Sequence, residues 1–198
     1  MTAPNGGGYS EAIMNIALVN VSGRMSTDGS RLVSALLKRA GHAVRGIFLS
    51  RRSPMLYDER ELALLDGILA DTDAVMVSVY SSYAARAAQI TDFIHRRHPR
   101  CRVFWGGPHC ISVPEVGLAH ADGICFSEGD EAVVELADRL AKGGDWTATP
   151  NFSFRVDGKI LTNRVLPPFG DLDSLPYYDY DLDGQFMLDR ELIPMTPE

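Results

Sequence analysis

Cysteine is scarce in this chain. Cys101, Cys110 and Cys125 serve 198 positions, and no two of them stand as C-x-x-C. An odd, scattered set excludes a disulfide framework. His109, Cys110 and His120 lack both zinc-site spacing and a fourth ligand. Long apolar runs are missing too, since nothing approaches the roughly 20 residues that cross a bilayer. Met1 to Ser10 is Gly-rich and polar, without the basic start and apolar core of a secretory signal. A cytoplasmic protein without membrane contact is expected. Positive charge is concentrated nowhere. The formal charge is -7, and residues 171–191 carry -6 of it, with seven carboxylates against Arg190. A neutral body with an acidic end excludes a nucleic-acid surface, which needs a basic stripe. The acidic run itself reads as a solvated linker.

The nucleotide motifs are also absent. The loop after the first apolar run is Asn20-Val21-Ser22-Gly23-Arg24-Met25-Ser26-Thr27-Asp28-Gly29-Ser30. Its glycines do not make the dinucleotide fingerprint G-x-G-x-x-G, and G-x-x-x-x-G-K-[ST] occurs nowhere. A phosphorelay receiver needs an aspartate after the third strand, where Ser78-Val79-Tyr80-Ser81-Ser82 stands instead. A flavodoxin-type phosphate loop is only loosely matched by Ser22 to Thr27.

What is present is a regular alternation. Asn15 to Val21, Ala43 to Leu49, Ala74 to Val79, Cys101 to Trp105 and Gly123 to Ser127 are short apolar runs. Such runs suit strands covered on both faces of a parallel sheet. Between them, helical spacing predicts helices over Arg31 to Ala40, Glu59 to Leu69, Ser81 or Ser82 to His95, and Val113 to Ala119. A last helix follows over Gly129 to Ala141. The pattern predicts an α/β, flavodoxin-like (Rossmann-type) three-layer sandwich. Its five-stranded parallel sheet takes the order 2-1-3-4-5. Residues 1–14 read as a flexible extension and 15–144 as the domain. Residues 145–198 read as a hairpin over Phe152 to Val156 and Ile160 to Asn163, then a strap expected to be mobile beyond Tyr177.

Two strand ends stand out. One runs Trp105 into Gly106-Gly107-Pro108-His109, and the other runs Phe126 into Ser127-Glu128-Gly129. Open α/β sheets bind ligands at the carboxyl ends of their strands, and two glycine-bearing junctions there suit a broad cofactor lying over several loops. The order of pieces resembles a known family, the cobalamin-binding domain at the N-terminus of cobalamin-dependent radical S-adenosylmethionine (SAM) enzymes. The resemblance rests on Gly106 to His109, Pro114-Glu115, ADGICFSEGDE from Ala121 to Glu131, and Val134-Glu135-Leu136. DGKILTN from Asp157 to Asn163 and DLDSLP from Asp171 to Pro176 complete it.

That resemblance implies cobalamin as the cofactor. Gly106, Gly107 and Pro108 would line a slot for its nucleotide tail, with Ser78 and Ser82 hydrogen-bonding that tail. Tyr80 would shield it, and Ser127, Glu128 and Gly129 would face the corrin rim. His109 has two readings, a structural hydrogen bond or a contact with a cobalamin amide or phosphate. Ser22, Gly23, Arg24 and Met25 would lie beneath the corrin. Cobalamin mutases carry D-x-H-x-x-G in that loop, whose histidine binds cobalt, and Ser22 stands at the histidine position here. The resemblance therefore implies base-off cobalamin without a histidine lower ligand. Arg24 is permanently charged and no ligand, whereas the Met25 thioether is a possible one.

In the resembling enzymes a downstream barrel carries a 4Fe-4S cluster, binds S-adenosylmethionine and commonly transfers methyl groups. This chain reads as a part that ends before that catalytic radical SAM domain, its expected partner, and as inactive in radical chemistry alone. A stand-alone cobalamin- or flavin-binding sensor or carrier is the alternative. The small-molecule substrate is not legible.

Overall fold

The computed structural model describes residues 12–24, 28–51 and 55–196. Five parallel strands form its centre: β1 (Asn15–Asn20), β2 (Ala43–Leu49), β3 (Ala74–Ser78), β4 (Arg102–Gly106) and β5 (Gly123–Cys125). They lie in the order β2-β1-β3-β4-β5, as the sequence predicts. The register is continuous across the middle: Leu18 stands beside Gly46 and Met76, and Met76 beside Phe104.

Alternation along these strands builds two cores. Ala17, Val19, Val75, Val77, Val103 and Trp105 face one layer; Ile16, Leu18, Ala74, Met76 and Phe104 face the other. The first layer is completed by α2 (Glu59–Ala63), α3 (Asp66–Leu69), α4 (Ala84–Arg97), α5 (Pro108–Ser112) and α6 (Pro114–His120). The second is completed by α1 (Asp28–Arg39) and α7 (Asp130–Ala141).

The structure departs from the sequence reading in three places. The helix expected over Glu59 to Leu69 is two short ones. Asp58 caps the first with a capping box, and the chain then tightens into i→i+3 bonds, Leu64 N to Glu61 O and Leu65 N to Leu62 O. Leu62 and Leu65 are both almost fully buried, and the break keeps both on the sheet. The helix expected from Ser81 begins as a 3-10 turn, Ser81–Tyr83.

Among the described residues the sheet has nine strands rather than five. The hairpin β6 (Phe152–Val156) and β7 (Lys159–Thr162) continues it antiparallel beyond β5. At the other edge β8 (Gln185–Leu188) runs parallel to β2 and β9 (Leu192–Pro194) returns antiparallel. Both outer strands of a five-stranded sheet would leave unpaired backbone groups, and these segments cover them. Residues 185–194, which the sequence presents as part of a loose strap, are thus built into the sheet. Leu188 is fully buried, and its carbonyl accepts from Ser50 N at 2.9 Å and Tyr57 Oη at 3.0 Å.

One carboxylate ties the start of β5 to its neighbours. Asp122 accepts from Val103 N at 2.8 Å and Arg102 Nη1 at 2.9 Å, and its other contact is His95 Nε2 at 3.1 Å. Burial pushes its pKa up, but these hydrogen bonds and the Arg102 charge outweigh that and hold it below the usual carboxylate range. A depressed folded pKa gives stability that is present above the unfolded value, near 3.9, and lost as pH falls through the lower folded value. Asp122→Asn should therefore cost about 1–3 kcal/mol at pH 7. In urea denaturation its deficit against wild type should shrink as the pH drops below about 4. A deficit unchanged by acid would refute this account.

Candidate functional site

A cavity of about 290 Å³ opens at the carboxyl ends of β3, β4 and β5, on the face carrying α1 and α7. Its floor is the second core: Leu18, Met76, Phe104 and Phe152. The two helices wall it with their first turns, Gly29, Ser30 and Val33 from α1 and Asp130 and Val133 from α7. The slot is thus mostly apolar, and Ser30, Ser78, Ser127, Glu128 and Asp130 are the oxygen-bearing side chains of its lining. Small-molecule sites span roughly 300–1,000 Å³. This cavity lies just below that range.

The two glycines ending β4 have different jobs. Gly106 is on the Phe104 side of the strand and forms part of the slot wall; a Cβ there would meet only Cys125 Cβ, at 3.8 Å. Gly107 has φ +98°, and a Cβ would lie 2.9 Å from Val79 O. It is glycine because the backbone turns tightly against the end of β3. His109 N then donates to Val79 O at 3.1 Å, and α5 departs toward the opposite layer.

Of the residues the sequence singles out, Ser78, Gly106, Gly107, Pro108, Ser127, Glu128 and Gly129 line the slot together. The others do not line it. His109 is buried on the far side, with Nδ1 3.2 Å from Ser81 Oγ, the structural arrangement of its two readings. Tyr80 is exposed and Ser82 sits in the 3-10 turn beside it. Ser22 is buried, and its Oγ donates to Asn20 Oδ1 at 2.7 Å. Gly23 abuts Ser50 O, while Arg24 is exposed. Met25 lies outside the described residues.

Sequence reasoning missed the slot's apolar walls: Leu18, Val33, Met76, Phe104, Val133 and Phe152. Strand alternation does put Leu18, Met76 and Phe104 on one face. Which face opens depends on where the helices begin, and the strand pattern does not carry that.

The charges are equally specific. Burial pushes the Cys125 thiol up to about 11, so this wall residue is a neutral thiol at pH 7; Cys101 and Cys110 are pushed up to about 12. Burial, reinforced by Glu128 and Glu131, raises the Asp130 carboxyl. No group of three or more His, Cys, Asp or Glu among the described residues stands together as a metal site. No described helix is long and apolar enough to cross a membrane.

Residues 14–137 match the B12 binding domain family. The chain belongs to that family. Its cofactor is cobalamin, and an apolar slot with a side-chain-free wall at Gly106 fits the flat nucleotide base of that cofactor's tail. Among curated proteins the chain is 23% identical over 158 residues to an uncharacterized methyltransferase of Pyrococcus horikoshii, covering 71% of this chain and 34% of that protein.

Two solved structures share the fold. One is the radical S-adenosylmethionine methyltransferase TsrM from Kitasatospora setae, with cobalamin and a 4Fe-4S cluster bound. Its TM-score is 0.65 at 15% identity, over 83% of this chain and 31% of that one. The other is the cobalamin-dependent S-adenosylmethionine radical enzyme OxsB with aqua-cobalamin bound. Its TM-score is 0.69 at 18% identity, over 87% and 25%. The chain spans about a third or less of the length of these relatives.

The glycine geometry separates binding from folding in this B12 binding domain. Gly106→Val should fold with little loss of stability but retain far less hydroxocobalamin after desalting, because the branched side chain enters the slot. Gly107→Val should instead cost about 1–3 kcal/mol or more through its positive φ, visible as a lowered melting temperature without ligand. Equal cobalamin retention by Gly106→Val and wild type would remove the slot assignment.

Proposed function

We propose that this chain is the cobalamin-holding domain of a cytoplasmic radical SAM methyltransferase, and that it keeps the cofactor base-off with no histidine beneath cobalt. The observation that carries this is the slot between the sheet and the first turns of α1 and α7. In this reading the slot takes the detached nucleotide tail. Bound cobalamin supplies a carrier for a methyl group. The chain's own residues bind and orient.

In this reading Leu18, Val33, Met76, Phe104, Val133 and Phe152 exclude water from the tail, and Ser78 hydrogen-bonds it. Gly106, Gly107 and Pro108 let it pass close to β4. Ser127, Glu128 and Gly129 meet the corrin rim, where carboxylate and carbonyl oxygens accept from amide side chains. Val21 to Arg24 would lie beneath the ring, Ser82 would hydrogen-bond the tail and Tyr80 would shield it. No imidazole would meet the lower face from this loop, where Ser22 stands at the mutase histidine position and donates its hydroxyl to Asn20 Oδ1. The five histidines are held elsewhere. His42 meets Met14 N and Asp138, and His95, His98 and His120 each meet a carboxylate. His109 meets Ser81.

The same reading divides the chain at about residue 144. Residues 15–144 hold the cofactor, and 145–198 lead toward a C-terminal radical SAM domain that binds S-adenosylmethionine and a 4Fe-4S cluster. The likeness to TsrM and OxsB supports this. One observation favours a second reading, a stand-alone cobalamin- or flavin-binding module: residues 185–194 finish the sheet instead of leaving it. The coding sequence beyond Glu198 discriminates, and the visible spectrum of the purified protein separates corrinoid from flavin.

The test is spectroscopic. The chain, mixed with hydroxocobalamin and desalted, should retain a base-off corrinoid. Reduced to cob(II)alamin, it should give an electron paramagnetic resonance spectrum without superhyperfine splitting from an axial nitrogen. Nitrogen splitting would overturn the no-histidine reading, and its loss in His109→Ala would name the donor.

A further inference from the structure

Helix α1 has two flanks with two occupants. Gly29, Ser30 and Val33 wall the slot. Arg31, Ser34 and Lys38, at the i, i+3, i+7 spacing of a single stripe, hold the C-terminal segment through Asp179. Arg31 Nη1 donates to Asp179 O at 2.6 Å, and Asp179 N donates back to Arg31 O at 3.2 Å. Ser34 Oγ donates to the Asp179 carboxylate, and Lys38 Nζ lies 2.9 Å from it. The Arg31 guanidinium stands over the rings of Phe48 and Tyr180, at 5.5 and 4.5 Å from their centroids. Asp179 is no solvated linker residue: its side chain is 7% exposed.

Below this cluster lies a second cavity of about 20 Å³, between α1, the central strands and the segment that enters β8. Ser30 and Leu18 line both cavities. The smaller one has room for a single water, which needs about 10–15 Å³ and two or more polar partners. Two buried oxygens of residues lining it, Ser30 Oγ and Gln185 Oε1, have no hydrogen-bond partner among the described residues. Ser30 is in the slot wall and Gln185 is the first residue of β8.

We infer that Asp179 is a positioning residue for the cofactor slot: residues 179–188, through the Asp179 cluster and a water bridging Ser30 to Gln185, fix the first turns of α1 where they wall the slot. The inference rests on the reading of that slot as the cobalamin site. Its physical content is linkage. If the docked segment favours the α1 position that binds cobalamin, bound cobalamin favours the docked segment by the same factor.

The experiment uses the full chain, with Asp179→Ala and the milder Asp179→Asn, each checked for folding by circular dichroism. Hydroxocobalamin affinity is measured by visible titration, and amide exchange is followed across 185–188 with and without the cofactor. Asp179→Ala should weaken binding roughly tenfold, within the usual range of coupling between two sites. In wild type, cobalamin should slow exchange across 185–188 by a comparable factor, and in Asp179→Ala that protection should fall. If the alanine variant does not fold, Asp179→Asn is read the same way. Faster exchange at 185–188 with an affinity within about twofold of wild type would make the segment a mere sheet edge and overturn the inference alone. Failure of wild type to bind hydroxocobalamin would overturn the cofactor reading, and the inference with it.

Discussion

The backbone turn at Gly107 is the constraint on which the site depends. Val79 N donates to Gly106 O at 2.8 Å and His109 N to Val79 O at 3.1 Å, so the ends of β3 and β4 are clasped together. A side chain at Gly107 would strike Val79 O, and the chain is forced beneath the end of β3. Helix α5 therefore starts on the far layer, burying His109 and Cys110 there. A connection leaving toward α1 and α7 would have filled the space above Phe104. The slot is what that choice of face leaves open, and Gly106 keeps its wall flat.

What surrounds the slot is chemically quiet. The Cys125 thiol is neutral because burial penalises its thiolate, and Asp130 is biased toward its neutral form by burial and by its acidic neighbours. The pocket these residues line is mostly apolar. Nothing in it is arranged as a nucleophile with a base.

Much of the fold was legible because two patterns were clean. The short, almost wholly apolar run NIALVNV, from Asn15 to Val21, and helical spacing around Leu36 and Leu37 point to one layered arrangement. Five such strands leave few topologies. The glycine-bearing junctions marked the right edge of the sheet, and Gly106, Ser127 and Gly129 do line its slot. The rest failed for a physical reason. Pocket walls such as Met76 and Phe104 look like any core residue, and only the starting positions of α1 and α7 expose them. His109 was ambiguous because a proline turn can send a side chain to either layer.

The tail shows how composition misleads. Seven carboxylates between residues 171 and 191 suggest a solvated strap, and some of that segment is solvated: Tyr177 is 98% exposed. Two residues later Asp179 is buried, because α1 offers it a hydroxyl, an ammonium and backbone partners at once. Its burial cost is outweighed by those hydrogen bonds and the Lys38 charge, which together hold its carboxyl below the usual range. The short apolar run Phe186 to Leu188 then finds the open edge of β2, and Leu192 to Pro194 pairs back onto it. A strand of three or four residues has little β-signal alone; it forms where an unpaired ladder already waits. The acidic segment is thus anchored at both ends of its path, at α1 and along β2. The helix it grips is the helix that walls the slot.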